Sequence, residues 1–261
     1  MLLEVRDLHV HFPVRKGVFA RTVGWVRAVN GVSFGVAEGE TLGLVGESGC
    51  GKSTTARAVL RLVRPTSGEI RFDGRDVSAL RGRELLVYRR QMQVVFQDPF
   101  ASLNPRHTVE RIVTDGAVVH GLTDEAARRD YAAELMTSVG LSPDILGRYP
   151  HEFSGGQRQR ISIARAVALK PRFLICDEAV SALDLSVRAQ VLELLAELKA
   201  KLKLSMLFIT HDIGVVAKTA DRIAVMNAGE IVETGTAAEV VSAPKHSYTR
   251  RLLAAVPRIR T

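Results

Sequence analysis

Eight residues constrain this chain more than any others. Gly46-Glu47-Ser48-Gly49-Cys50-Gly51-Lys52-Ser53 fits the spacing G-x-x-x-x-G-K-[S/T], and Thr54 follows it. Thr41-Leu42-Gly43-Leu44-Val45 precedes it as a buried strand, and Lys52 to Leu62 follows as a helix closed by Arg64-Pro65. Glycines let the backbone wrap around phosphate oxygens, while successive N–H groups and the helix N-terminus supply positive potential. At this spacing Lys52 reaches the outer phosphates and the Ser53 hydroxyl can hold a divalent cation.

Around the loop, short apolar runs alternate with amphipathic stretches, which predicts an α/β fold. Strands are expected at Leu3 to Val10, Glu69 to Phe72, Gln93 to Phe96, Phe173 to Cys176, Met206 to Thr210 and Ile223 to Met226. Ala228-Gly229 turns into Glu230 to Thr234. Between Thr108 and Leu169 the texture is helical, with breaks at Gly121, Gly140, Pro143 and Pro150. Further helices are expected at Ser186 to Lys203, Ala237 to Val241 and Tyr248 to Ala255. The simplest organisation is one domain over 1–261, with a helical subdomain at about 100–169 inserted in the α/β core. A small antiparallel β region starts the chain and a helical tail at about 236–261 ends it.

Composition excludes several classes. The chain has 261 residues, of which 46% are hydrophobic, so wholesale disorder is out. No apolar run approaches the roughly 20 residues of a membrane span, and the charged start Glu4-Val5-Arg6-Asp7 does not read as a signal peptide. Cys50 and Cys176 form no ligand cluster, so the expectation is a soluble protein in a reducing compartment, without disulfides or structural zinc. The net charge of +8 rests on 28 Arg and 8 Lys against 28 acids. It is compatible with solvated surface, a nucleic-acid partner or an anionic membrane face.

Two further sites carry chemistry. Phe173 to Cys176 runs into Asp177-Glu178, which puts two acids at the carboxyl end of a buried strand. One can orient a cation's shell while the next polarises a water. Ser154-Gly155-Gly156-Gln157 opens a helix from Arg158 to Leu169, with Ser154 as cap, and makes a second anion-binding helix start.

By itself the glycine-rich loop says only P-loop nucleoside triphosphatase. The full set of motifs resembles the ATP-binding-cassette (ABC) ATPases. Phe153-Ser154-Gly155-Gly156-Gln157 is similar to their signature, Gln97 in Val95-Phe96-Gln97-Asp98-Pro99 to their Q-loop, and Asp177-Glu178 to Walker B with its catalytic glutamate. Ser181-Ala182-Leu183-Asp184 is similar to the D-loop and His211 in Ile209-Thr210-His211-Asp212 to the switch histidine. Phe12 matches by position the aromatic that stacks on adenine.

The resemblance implies roles. Gly46, Glu47, Ser48, Gly49, Cys50, Gly51, Lys52, Ser53 and Thr54 would bind ATP, with Ser53, Gln97 and Asp177 arranging Mg²⁺. Glu178 would be the general base, His211 would touch the γ-phosphate, and Lys52 and Gln97 would complete the catalytic set. Ser154, Gly155, Gly156, Gln157 and Asp184 would serve ATP held by the opposite subunit of a head-to-tail dimer. Ala179 stands where the family usually has proline, which should loosen the turn after Glu178.

Three stretches narrow the resemblance to the ATPases of dipeptide, oligopeptide and nickel importers. They are a basic loop from Phe12 through Trp25, Gln97 through Arg106, and Tyr149-Pro150-His151-Glu152-Phe153. The tail from Pro244 to Leu253 is similar to that group's C-terminal motif, with Ser247 where proline is usual. Many members continue into a cysteine-bearing extension that is absent before Thr261, so no iron–sulfur cluster is expected.

This reading implies ATPase activity at the cytoplasmic face of the cell membrane. Partners would be transmembrane permease subunits, a second like or unlike cassette and, indirectly, an extracytoplasmic solute-binding protein. Peptides, nickel or glutathione-like solutes are the implied cargo. The alternative is a non-transport ABC ATPase acting on nucleic acid, toward which the pI of about 9.9 leans. The 57 residues from Gln97 to Ser154 leave no room for the long coiled-coil arms of such relatives, so no nucleic-acid partner is expected.

Overall fold

The computed structural model describes residues 1–17 and 21–255. Val18 to Ala20 of the expected basic loop, and residues 256–261 of the expected helical tail, lie outside the described residues. In chain order, β1 (Leu3–Lys16), β2 (Arg21–Val36) and β3 (Thr41–Val45) lead into α1 (Lys52–Val59). Next come β4 (Ser67–Phe72), β5 (Arg75–Asp76), α2 (Gly82–Gln91), β6 (Met92–Val95), α3 (Pro99–Ser102), α4 (Val109–Val119), α5 (Arg128–Ser138) and α6 (Gly155–Val167). β7 (Phe173–Asp177), α7 (Leu185–Leu202), β8 (Ser205–Thr210), α8 (Ile213–Thr219), β9 (Arg222–Asn227), β10 (Glu230–Thr236), α9 (Ala237–Ser242) and α10 (Ser247–Ala254) follow.

The chain forms two compact units, Met1–Leu85 with Ser205–Thr261, and Leu86–Leu204. In the first, β1 lies between antiparallel β2 and β4. A second sheet runs β10-β9-β3-β8, with β3 parallel to both β8 and β9 and β10 antiparallel to β9. Strand β3 is buried from end to end, as its near-continuous apolar sequence requires of a central parallel strand. Leu3, Val5 and Leu8 of β1, Val29 and Val32 of β2 and Ile70 of β4 are also buried. Each such side chain contributes about 1.5–3 kcal/mol relative to exposure.

The stretch from Phe12 to Trp25 corrects an expectation. The sequence suggests a loop here, yet its described residues extend β1 and β2 into an antiparallel ribbon, with Phe12 paired to Val26 and Pro13 to Trp25. Pairing of β1 with β4 ends at His9 opposite Ser67. Beyond it, Pro13 owes no ladder bond on that side. Helix α1 also ends earlier than the predicted Leu62. Arg61 adopts φ +57°, and the N–H groups of Leu62 and Val63 turn back to the Arg57 carbonyl, closing the helix at Val59.

In the second unit, β6 and β7 pair in parallel from Met92 opposite Phe173 to Val95 opposite Cys176. The helical texture is borne out as α4, α5 and α6. Gly121 and Gly140, at φ +66° and +69°, terminate α4 and α5, and Pro143 and Pro150 open short 3₁₀ turns. Arg128, 8% exposed, joins α5 to α4 through Asp115 and also bonds Glu125, both at 2.6 Å. The hydrogen bonds to Glu125 and then Asp115 hold its guanidinium above its ordinary pKa. Among the described residues no helix is long and apolar enough to cross a membrane.

Candidate functional site

The glycine-rich loop joins the end of β3 to the start of α1. Two of its glycines are required by their surroundings. A Cβ on Gly46 would lie 2.1 Å from the Met226 carbonyl oxygen, and one on Gly51, at φ +112°, would lie 2.2 Å from that of Ala28. The β9–β10 turn secures the loop: Gly229 N–H donates to the Cys50 carbonyl at 2.9 Å. Glu47, Ser48 and Gly49 are exposed, whereas Lys52 is 4% exposed. Its ammonium donates to the carbonyls of Gly46 and Glu47 at 2.7 and 2.9 Å, with Cys50 Sγ at 3.7 Å. Buried backbone dipoles thus satisfy the charge. Ser53 and Thr54, half-buried, occupy the first turn of α1.

Strand register groups the other candidates. Val45 of β3 pairs with Thr210 of β8, so Gly46 and His211 leave adjoining strand ends. His211 is exposed there, and Asp212 caps α8 by accepting from Gly214 N–H at 2.9 Å. In the second unit Val95 pairs with Cys176, so Gln97 and Glu178, each two residues on, also emerge side by side. Gln97 is exposed, and Asp177 is 5% exposed at the tip of β7. Carboxyl ends of parallel strands are where open α/β sheets bind ligands.

Glu178 takes φ +51°, an uncommon conformation for a residue with a side chain. Its carbonyl accepts from Ser181 N–H at 3.1 Å, and Ala179 and Val180, each 2% exposed, anchor the turn in the core. Burial and that hydrogen bond hold the turn without a proline ring. Burial also pushes the Cys176 thiol far above its ordinary pKa, so it stays a neutral core group.

The second glycine-rich helix start is a full capping box. Ser154 Oγ accepts from Gln157 N–H at 3.3 Å and Gln157 Oε1 accepts from Ser154 N–H at 3.0 Å. Gly155 is exposed, while Gly156 faces Val187 of α7. Asp184 caps α7, accepting from Val187 N–H at 3.0 Å and Ser186 hydroxyl at 2.9 Å. The Val187 bond, then that of Ser186, holds this carboxyl below its ordinary pKa. Next to Gln97, Asp98 caps α3, whose Phe100 ring lies under the Arg158 guanidinium of α6 at 4.5 Å. Phe12, 41% exposed, sits on the β1–β2 ribbon.

Sequence reasoning missed one contact. Tyr248 of α10, 3% exposed, accepts from Glu47 N–H at 2.9 Å. Tyr248 falls in the tail stretch that the sequence singles out without assigning it a role, and that stretch was the available signal. Burial pushes its phenol above the ordinary pKa, so a neutral hydroxyl faces the loop. Among the described residues no three His, Cys, Asp or Glu side chains form a metal cage. Ser53, in the first turn of α1, and Gln97 and Asp177, in the second unit, each carry an oxygen donor of the hard type that Mg²⁺ takes.

The chain matches the family described as ABC transporter over residues 29–181. It is 51% identical to the oligopeptide transport ATP-binding protein AppF of Bacillus subtilis (strain 168), over 98% of this chain and 78% of that one. It is also 51% identical to the glutathione import ATP-binding protein GsiA of Salmonella paratyphi A over 98% of its length, but spans only 41% of that longer relative. Among solved structures, the dimeric cassette MJ0796 bound to ADP and Pi superposes with TM-score 0.79 at 28% identity, covering 90% of this chain and 98% of that one. CbiO1 of Clostridium perfringens, part of the transporter complex CbiONQ, gives 0.78 at 27% identity over 99% of this chain and 96% of its own. The chain belongs to the ABC transporter family, as one of its ATP-binding, ATP-hydrolysing cassettes.

Proposed function

We propose that this cassette powers an importer for peptides or a related small solute. The observation that carries the reading is the strand register, which aligns Gly46 with His211 and Gln97 with Glu178 at carboxyl ends of parallel strands. The cargo class rests on the 51% identity to the oligopeptide and glutathione transport proteins.

In this reading Phe12 stacks on adenine, and Lys52 with the loop amides from Gly49 to Ser53 holds the phosphates. Mg²⁺, held by Ser53 with Gln97 and Asp177, would neutralise phosphate charge. Glu178 takes a proton from water as the water oxygen bonds to the γ-phosphorus, the bond to the β–γ bridging oxygen breaks, and ADP and phosphate leave. His211 contacts the γ-phosphate. Ser154, Gly155, Gly156, Gln157 and Asp184 serve nucleotide on a second cassette, giving a head-to-tail dimer. The segment from Gln97 through the helices that follow docks on a permease at the cytoplasmic membrane face. The Arg158–Phe100 contact supports this, because it ties the signature helix to the chain beside Gln97.

Affinity purification from native membranes tests the proposal. A permease, a second cassette and a solute-binding protein should co-purify. Hydrolysis stimulated by DNA or RNA at physiological salt, without membrane partners, would overturn it in favour of the nucleic-acid reading.

A further inference from the structure

A trans peptide is planar, with its N–H and C=O on opposite edges. The Gly46–Glu47 peptide uses both. Its N–H donates outward to Tyr248 Oη at 2.9 Å, and its carbonyl accepts from Lys52 Nζ at 2.7 Å. Among the described residues no peptide bond is cis, so the two contacts sit on opposite sides of one rigid plane. We propose that Tyr248 is a positioning residue for Lys52, acting through this peptide. The inference rests on the reading of Lys52 as the phosphate-holding cation.

The plane needs such an anchor. Glycine at position 46 leaves the backbone intrinsically permissive. A flip of the peptide would break the Tyr248 and Lys52 bonds together and turn an N–H toward the ammonium. Tyr248 is well placed to prevent that. Its ring is buried, and its N–H donates to His246 Nδ1 at 3.2 Å. Glu233 of β10 receives the N–H groups of Lys245 and His246 at 2.7 and 2.9 Å, fixing the start of α10. The Arg251 guanidinium lies 5.7 Å from the Tyr248 ring centroid. A continuous chain therefore runs from Glu233 through α10 and Tyr248 to the Gly46–Glu47 plane and Lys52. One link in it joins segments far apart in sequence, since Glu47 and Tyr248 lie 201 positions apart.

The consequence is preorganisation. With the hydroxyl present, the loop meets nucleotide already ordered. Without it, part of the ordering cost falls on binding. Tyr248 acts through the loop backbone, by its bond to Glu47 N–H, so the effect should appear in KM and not in kcat.

The test uses the full chain and MgATP, comparing wild type, Tyr248→Phe, Glu233→Gln and the double variant. Tyr248→Phe should raise KM for ATP about three- to tenfold, the scale of one hydrogen bond, with kcat within about twofold. Glu233→Gln should shift KM in the same direction, and the double variant should fall short of the product of the single effects, because the residues act in series. An unchanged KM in folded Tyr248→Phe overturns the inference, as does a drop in kcat at unchanged KM. Should Tyr248→Phe fail to fold, Glu233→Gln decides by the same criterion. A wild-type chain that neither binds nor hydrolyses MgATP would instead refute the phosphate-site reading itself.

Discussion

Gly156 stands against Val187: a Cβ on the glycine would lie 2.5 Å from Val187 Cγ1. Val187 also gives its N–H to Asp184 at 3.0 Å. The starts of α6 and α7, each carrying candidate nucleotide-facing residues, are therefore registered against one another by a position with no side chain. Gly156→Ala should force the valine to rotate or the helices to part. The expected cost is about 1–3 kcal/mol of stability, typical of overpacking. ATPase activity should fall on the order of tenfold or more, since small displacements of positioning groups are amplified in rate. Thermal melting and steady-state hydrolysis measure the two effects, and wild-type values for both would contradict the packing argument.

Lys52 gives a different signature. Its ammonium is buried on two carbonyls of its own loop, so Lys52→Ala removes the donor those carbonyls rely on and, in the proposed role, a phosphate contact. Charge-assisted hydrogen bonds contribute about 1.5–3 kcal/mol, which predicts an affinity loss for ATP of about 10- to 100-fold. Titration with a fluorescent ATP analogue reads this directly. Lys52→Met keeps the apolar stem and should bind equally poorly while melting closer to wild type.

Much of this arrangement is legible in the sequence, for physical reasons. Strands β3, β7 and β8 are buried along their whole length, so each appears as an unbroken run of mostly apolar residues. The glycine-rich loop and the Ser154 capping box are local devices whose geometry depends on adjacent residues. Strand β2 is legible only in part, because Val23, Trp25 and Val26 are 57, 60 and 54% exposed and give no buried face to read. Helix α2 is similar, with only Tyr88 buried while the apolar Leu86 and Val87 stay exposed. The Tyr248–Glu47 bond is invisible for another reason. It joins residues distant in sequence through a backbone donor, which leaves no side-chain signature at Glu47.

Acid sensitivity should trace to the capping carboxylates. Glu239 at the start of α9 is held below its ordinary pKa by the backbone N–H of Thr236, then by the Thr236 hydroxyl. Asp184 behaves alike through Val187 and Ser186. A depressed folded pKa stabilises the protein above the unfolded value, about 4.3 for Glu and 3.9 for Asp. That contribution is lost as pH falls through the lower folded value. The melting-temperature difference between wild type and Glu239→Gln should thus be constant from about pH 6 to 8 and shrink below about pH 4. A difference that grew on acidification would have the wrong sign and would reject the assignment. Asp184→Asn should show the same trend.

Glu178 offers the sharpest separation of chemistry from binding. It follows the buried Asp177 at the end of β7, in a left-handed turn anchored by Ala179 and Val180, so Gln at this position can keep the backbone geometry and lose only basicity. If Glu178 accepts the water's proton, Glu178→Gln should lower turnover by a factor on the order of 10²–10⁴, the usual range for a general base. ATP affinity should be retained. Because nucleotide would no longer be consumed, the variant should accumulate as an ATP-bound dimer, seen by light scattering with MgATP and absent with ADP. Hydrolysis at the wild-type rate would remove Glu178 from the base role. Slow hydrolysis without an ATP-dependent dimer would leave the base in place and refute the assignment of Ser154, Gly155, Gly156 and Gln157 to nucleotide on a second cassette.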